Sequence, residues 1–289
     1  MMNVCALPAR LFFGSAAALG AALFLSTGLE AADGNAKATE LIAHRAVYDL
    51  KLTESRGRRP VASVRGRILY DFGGNACEGY TLQFRQVSEI DTGEGKQALS
   101  DLRATSWEDG NAKVLRFASQ NYLNQQLSAA VDGKAQRTAE RIDVSLSKPE
   151  NKAFDLPASN VFPSEHMRRI IEAARAGKNI LELPVYDGSE NGERLYNTLT
   201  VIGQPLKPDD KKPDDAAAGQ NKLAGMLRWP VTISYFDKAK SDGEQTPAYA
   251  IAFEVYENGI SRALSLDYGD FTVAGELAQL EIRDAPPCQ

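Results

Sequence analysis

The chain has 289 residues, with 33 Lys and Arg against 38 Asp and Glu for a formal net charge of −5, and 43% of it is hydrophobic. That mild acidity excludes the clustered basic surface a nucleic-acid-binding domain needs. The apolar content is ample for a folded core.

The N-terminus comes first. Arg10 is the sole charge before Glu30, Leu11–Leu25 is built of Leu, Phe, Ala, Gly and Ser, and Ala31-Ala32 follows. This layout predicts a secretory signal peptide over residues 1–32, cleaved to leave a single domain over 33–289. A membrane span needs roughly 20 apolar residues, so no transmembrane segment is expected in the mature chain. Cys5 precedes the apolar run, which argues against a lipoprotein anchor. The expected location is the periplasm.

The mature region then alternates with period two. Ala46, Tyr48, Leu50 and Leu52 share one face, with Arg45, Asp49 and Lys51 on the other. The same alternation recurs at Ile68–Phe72, Tyr80–Phe84, Ile142–Leu146, Leu227–Tyr235, Tyr249–Val255 and Leu264–Tyr268. It predicts strands with one buried and one wetted face. Gly73-Gly74, Asp109-Gly110, Asp132-Gly133, Asp187-Gly188 and Asn258-Gly259 read as turns between them. Connections this short favour antiparallel hairpins, and about 12–15 strands are expected.

Between the first two alternating runs, Arg56, Arg58, Arg59, Arg65 and Arg67 cluster. They read as a solvated hairpin with basic faces, with contact to anionic lipid or phosphate as the rival. Phe162–Gly177 departs from period two. Met167, Ile170, Ile171 and Ala174 fall on one helical stripe, Pro163 suits a first turn and Gly177 the position after the last. A helix over about 163–176 is therefore expected to bury its stripe against a curved sheet. Residues 203–222 are rich in Pro, Asp, Lys, Ala and Gly and read as a flexible surface loop, its paired acids Asp209-Asp210 and Asp214-Asp215 serving as solvating charges.

Once Cys5 leaves with the signal, Cys77 and Cys288 form an even pair in an oxidising compartment, and a disulfide is expected. Two free thiols or a metal site are the alternatives, but two cysteines cannot complete a four-ligand zinc site. No P-loop, G-x-G-x-x-G, H-E-x-x-H, EF-hand or G-x-S-x-G pattern occurs. No metal, cofactor or catalytic residue is expected, and His44 and His166 read as ordinary histidines. Aromatic residues are the richer signal. Tyr48, Tyr70, Tyr80, Trp229, Tyr235, Tyr249 and Tyr268 read either as core or as the lining of an amphipathic cavity or groove for an acyl chain or an apolar peptide.

The His44–Leu50 opening, the Gly74–Gln83 stretch around Cys77, Phe162-Pro163-Ser164 before the helix and the closing Cys288 resemble the cell-envelope integrity protein EipB family. The resemblance runs over essentially the whole mature chain. It implies an all-β, spiral-like open β-barrel of mostly antiparallel strands around one helix, closed by a Cys77–Cys288 bridge. It also implies a non-enzymatic periplasmic protein needed for a sound cell envelope, similar in outline to lipoprotein carriers. Two functions are expected from this. The first is binding of a periplasmic or membrane-anchored envelope protein through a sheet edge or groove; the alternative is carriage of lipid or acyl chains in an apolar interior.

Overall fold

A computed structural model describes residues 39–56, 61–93, 97–208, 223–239 and 246–284, together with Asp215 and Ala217. The predicted signal segment, Arg58, Arg59 and Cys288 lie outside the described residues.

The alternating segments form fourteen strands: β1 (His44–Ser55), β2 (Ser63–Asn75), β3 (Gly79–Asp91), β4 (Gln97–Glu108), β5 (Val114–Leu123), β6 (Gln126–Arg137), β7 (Arg141–Lys148), β8 (Lys152–Pro157), β9 (Ile180–Val185), β10 (Tyr196–Ile202), β11 (Arg228–Asp237), β12 (Tyr249–Tyr256), β13 (Ser261–Asp267) and β14 (Phe271–Ile282). One helix, α1 (Pro163–Arg175), separates β8 from β9. The strands make a single sheet in the order β8-β7-β6-β5-β4-β3-β2-β1-β14-β13-β12-β11-β10-β9, antiparallel at every neighbouring pair from β1·β14 outward to β7·β8 and β9·β10. The first and last strands pair in the middle, so the two free edges belong to β8 and β9. The sheet curls but does not close, and this is the open architecture that the resemblance implies.

Helix α1 joins those two edge strands along the chain. Where the chain approaches it, Val161 forms a parallel bridge with Val185: its N–H donates to Pro184 O at 2.8 Å and its carbonyl accepts from Tyr186 N at 3.0 Å. Part of the β9 edge is thereby covered, which limits the unpaired N–H and C=O groups left open to other strands. Of the predicted stripe, Ile170, Ile171 and Ala174 are buried and Met167 half-buried, and with Ala173 they pack with Trp229, Val231, Ile233, Phe253 and Val255. Among the described residues no helix is long and apolar enough to cross a membrane.

Three details differ from the sequence reading, each for a local physical reason. Asp132-Gly133 is not a turn; it sits inside β6, where the pairing with β7 slips by one residue. A Cβ on Gly133 would stand 2.6 Å from the Phe117 ring and 2.7 Å from Leu146, so glycine is needed for close packing and marks a bulge. The tight hairpin lies earlier, at Asn124 (φ 50) and Gln125 (φ 68), between the paired residues Leu123 and Gln126. Positive φ at both central positions matches the strand twist. Gly73-Gly74 also stays within β2, and the chain turns just after it, where Asn75 Oδ1 accepts from Cys77 N and Glu78 N at 2.8 Å each.

The third difference concerns residues 203–222. Asp215 is not a solvating charge: it is 5% exposed and ion-paired with Arg262. Arg262 also contacts Glu254 at 2.6 Å, and Glu254 contacts Arg228 at 2.8 Å. Two buried guanidinium groups, on β11 and β13 either side of β12, need counter-charge, and Asp215 supplies part of it. Ala217 is buried in the same direction, with Tyr256 and Ile260 in its cluster.

Candidate functional site

The site is built from the inner faces of the strands that flank the β1·β14 pair. On β1 the inward positions are His44, Ala46, Tyr48 and Leu50, all buried. On β2, Ile68, Tyr70 and Phe72 point inward, and on β3 so do Tyr80, Leu82, Phe84 and Gln86. From the opposite side come Ile233 and Tyr235 of β11, Ile251 and Phe253 of β12, and Leu264 and Leu266 of β13. These walls do not meet. They enclose a cavity of about 400 Å³ that Pro163, His166, Met167 and Ile170 of the helix also line. Tyr70, Leu82, Phe84, Tyr235, Tyr249, Ile251 and Leu264 are inward-facing yet only half-buried, because their inner surface borders empty space.

Of the aromatic residues singled out from sequence, Tyr48, Tyr70, Tyr80, Tyr235, Tyr249 and Tyr268 line this cavity and Trp229 does not. Trp229 shares the inner face of β11 with Ile233 and Tyr235 but sits at the end of the strand that the helix covers, among Ile170 and Ile171. The expectation for Trp229 is corrected on that ground. Tyr48 donates to Ser261 O at 2.8 Å, tying β1 to β13 over the intervening β14. Burial pushes the Tyr48 and Tyr80 hydroxyls up from the usual phenol range and Tyr70 up to about 12. All three stay neutral.

Both histidines belong to this interior and neither lies at the surface. His44 stacks on Tyr70 with ring centroids 5.6 Å apart, and its Nδ1 lies 2.8 Å from Ile42 O. Burial lowers its pKa. His166, one helical turn in, contacts Thr198 Oγ1 at 3.4 Å, and burial pushes it down to about 4. Each ring is thus a neutral wall group.

The helix is held in place by a residue the sequence gave no reason to single out. Phe162 at the N-cap offers no side-chain cap, so the first amides of α1 need an acceptor from elsewhere. Glu108, at the end of β4, provides both oxygens: Ser164 N donates at 2.6 Å and Glu165 N at 2.9 Å. This carboxylate is 2% exposed. Burial pushes its pKa up to about 7, against the lowering effect of those two amide hydrogen bonds. A carboxylate at a helix N-terminus is favoured by the exposed amides and the helix dipole.

One end of the cavity is distinct. Tyr235 of β11 pairs with Tyr249 of β12, and the next residue, Ala250, pairs with Asp267 of β13. Tyr235 and Tyr249 stack with centroids 4.4 Å apart, and Tyr196 meets both edge-on at 5.7 and 5.6 Å. After β9 the chain leaves the sheet at Asp187-Gly188, where the sequence places a turn; the turn itself follows at 190–193. The segment ahead of it puts Asp187 in the cavity lining. Gly188 has φ +69, and a Cβ there would fall 2.3 Å from the Phe117 ring; no other residue type fits. Asp187 accepts from Ser189 N at 2.9 Å. Tyr268, 41% exposed, marks the point where this end reaches solvent.

Among the described residues no cluster of His, Cys, Asp and Glu has the makings of a metal site. Arg56 and Arg67 of the basic cluster are ion-paired, with Asp267 at 2.9 Å and Asp49 at 2.7 Å.

Comparison with known proteins adds three findings. The EipB-like family model matches residues 35–284. The cell envelope integrity protein EipB of Brucella abortus (strain 2308) is 38% identical over 271 residues, which is 93% of this chain and 94% of that protein. A crystal structure of a β-barrel-like protein of a domain of unknown function from Brucella abortus superposes with a TM-score of 0.77 at 37% identity, covering 84% of this chain and 99% of that one.

Proposed function

Because this chain belongs to the EipB-like family, we propose that it is a non-catalytic periplasmic protein that maintains the cell envelope by holding the apolar chain of a lipid or lipoprotein in its barrel. The observation that carries this reading is the cavity of about 400 Å³. That volume lies within the range of small-molecule sites, which run to about 300–1,000 Å³ and are lined mostly by apolar and aromatic side chains. A methylene moved from water into such a lining gains about 0.8 kcal/mol, so a long alkyl chain would be retained. The relative's name, cell envelope integrity protein, agrees with a place in the envelope.

A hydrolytic role finds no support in the histidines, since His44 is occupied by a backbone carbonyl and His166 faces a threonine. Docking of an envelope protein at a sheet edge has a narrower base, because Val161 already covers part of β9. We also propose that Cys77 is bridged to Cys288. Cys77 stands on the β2–β3 turn, and these two are the cysteines left once Cys5 leaves with the signal.

The test of the main reading is displacement of a fluorescent acyl probe. Wild type is expected to bind the probe saturably. Ile251→Trp, which places a large ring in the cavity from β12, is expected to weaken binding while circular dichroism stays native. A folded wild-type protein that takes up no probe would overturn the reading. Labelling of Cys77 or Cys288 by a thiol reagent in denatured, unreduced protein would overturn the bridge.

A further inference from the structure

The charge on the cavity wall says which kind of amphiphile suits it. Among the described residues that line the cavity there is no lysine and no arginine; the ionisable acids are Asp187 and Asp267. Both belong to the end described above, close to where Tyr268 reaches solvent. The rest of the lining is aliphatic, aromatic or neutral-polar, including the two histidines.

The two carboxyl groups are not equivalent. Asp267 is already matched by Arg56 at 2.9 Å and accepts from Gly269 N at 2.8 Å. Asp187 accepts one backbone amide, from Ser189, and no ion pair with it occurs among the described residues. Arg194, in the same β9–β10 connection, is taken by Glu190 at 2.8 Å and by Asp237. Tyr235 and Tyr249 line the same end as Asp187, and neither hydroxyl makes a hydrogen bond among the described residues.

Asp187 is half-buried, and a carboxyl group set in an apolar wall without a cation loses hydration that a paired one recovers. Burial, followed by the repulsion of Glu190, accordingly raises the Asp187 pKa. An incoming cation would relieve that cost, and the tyrosine rings add a favourable face for it. An anionic head would instead meet the Asp187 carboxyl, which has no basic partner among the described residues. We propose that the Asp187–Tyr235–Tyr249 end of the cavity receives a cationic, amine-bearing head group, with the apolar tail lying along the remainder. This rests on the ligand-holding function proposed above and specifies its ligand class.

Three amphiphiles of one chain length separate the two ideas: dodecylammonium, dodecanoate and a neutral dodecyl glycoside, each kept below its micelle-forming concentration and competed against the fluorescent acyl probe. Dodecylammonium is expected to displace the probe at about tenfold lower concentration than dodecanoate, as a charge-assisted hydrogen bond provides. Asp187→Asn keeps an acceptor for Ser189 N, and it is expected to abolish that preference while leaving the glycoside unchanged. Tyr249→Phe, which keeps the ring and removes the hydroxyl, is expected to weaken dodecylammonium less than Asp187→Asn does. Equal binding of all three amphiphiles, tighter binding of dodecanoate, or an unaltered preference in folded Asp187→Asn would overturn the inference and leave the ligand-holding function standing. Failure of all three to bind would overturn both.

Discussion

Glu108 and His166 stand at the two sides of the helix N-terminus, and their protonation pulls stability in opposite directions. His166 is held neutral, with its pKa lowered from 6.5 to about 4 by burial. Its contribution is present above the unfolded value and is lost as pH falls toward 4. Glu108 is raised from 4.5 to about 7, so its contribution is present below the unfolded value and is lost as pH rises through 7. A unit of pKa shift corresponds to about 1.4 kcal/mol. Between about pH 7.5 and about pH 5 each titration is part-way complete, and each moves the unfolding free energy by about 2 kcal/mol, with opposite signs. The two nearly cancel in the wild type. Glu108→Gln keeps one acceptor for the helix amides and removes the proton. Relative to wild type, this variant should lose about 2 kcal/mol more on acidification across that window. His166→Gln should show the reverse. His44 is shifted the same way as His166, but it is common to all three proteins and drops out of the differences. Urea unfolding midpoints at several pH values provide the assay. Parallel stability curves for wild type and Glu108→Gln would refute the argument that a buried, proton-holding carboxyl group caps the helix.

Other expectations follow from the same contacts. In a series of alkyl ligands with a common head group, affinity should rise about fourfold per added methylene and then level off when the cavity is full; a flat series measured by probe displacement would argue against burial of the chain. Asp215→Ala should cost about 3 kcal/mol in denaturant unfolding, at the lower end for a broken buried pair because Glu254 still contacts Arg262. A loss within experimental error would mean that Asp215 contributes no counter-charge.

The sheet and the helix were legible because they rest on local periodicity. Period two at His44–Leu52 and Leu227–Tyr235 marked the inner faces, and Pro163 with the Ile170–Ile171 stripe marked the one helix. The tyrosine lining followed from the same faces. What stayed hidden depends on contacts distant in sequence. Glu108 reads as an ordinary polar residue at a strand end, and only the curl of the sheet brings it to amides 56 and 57 residues away. Asp187 was visible as half of an expected turn, but not as a wall group. Asp215 sits in a stretch whose composition signals solvation, while its partner Arg262 lies on β13. Trp229 shows why facing inward is insufficient: one end of the inner face belongs to the helix and the other to the cavity.

The most direct test of the ligand-holding account is native mass spectrometry of the protein taken from its own cells without detergent or organic solvent. The account predicts a population heavier than the bare chain, whose excess mass is released on activation as an amphiphile with an alkyl chain. A single population at the mass of the chain alone would contradict it.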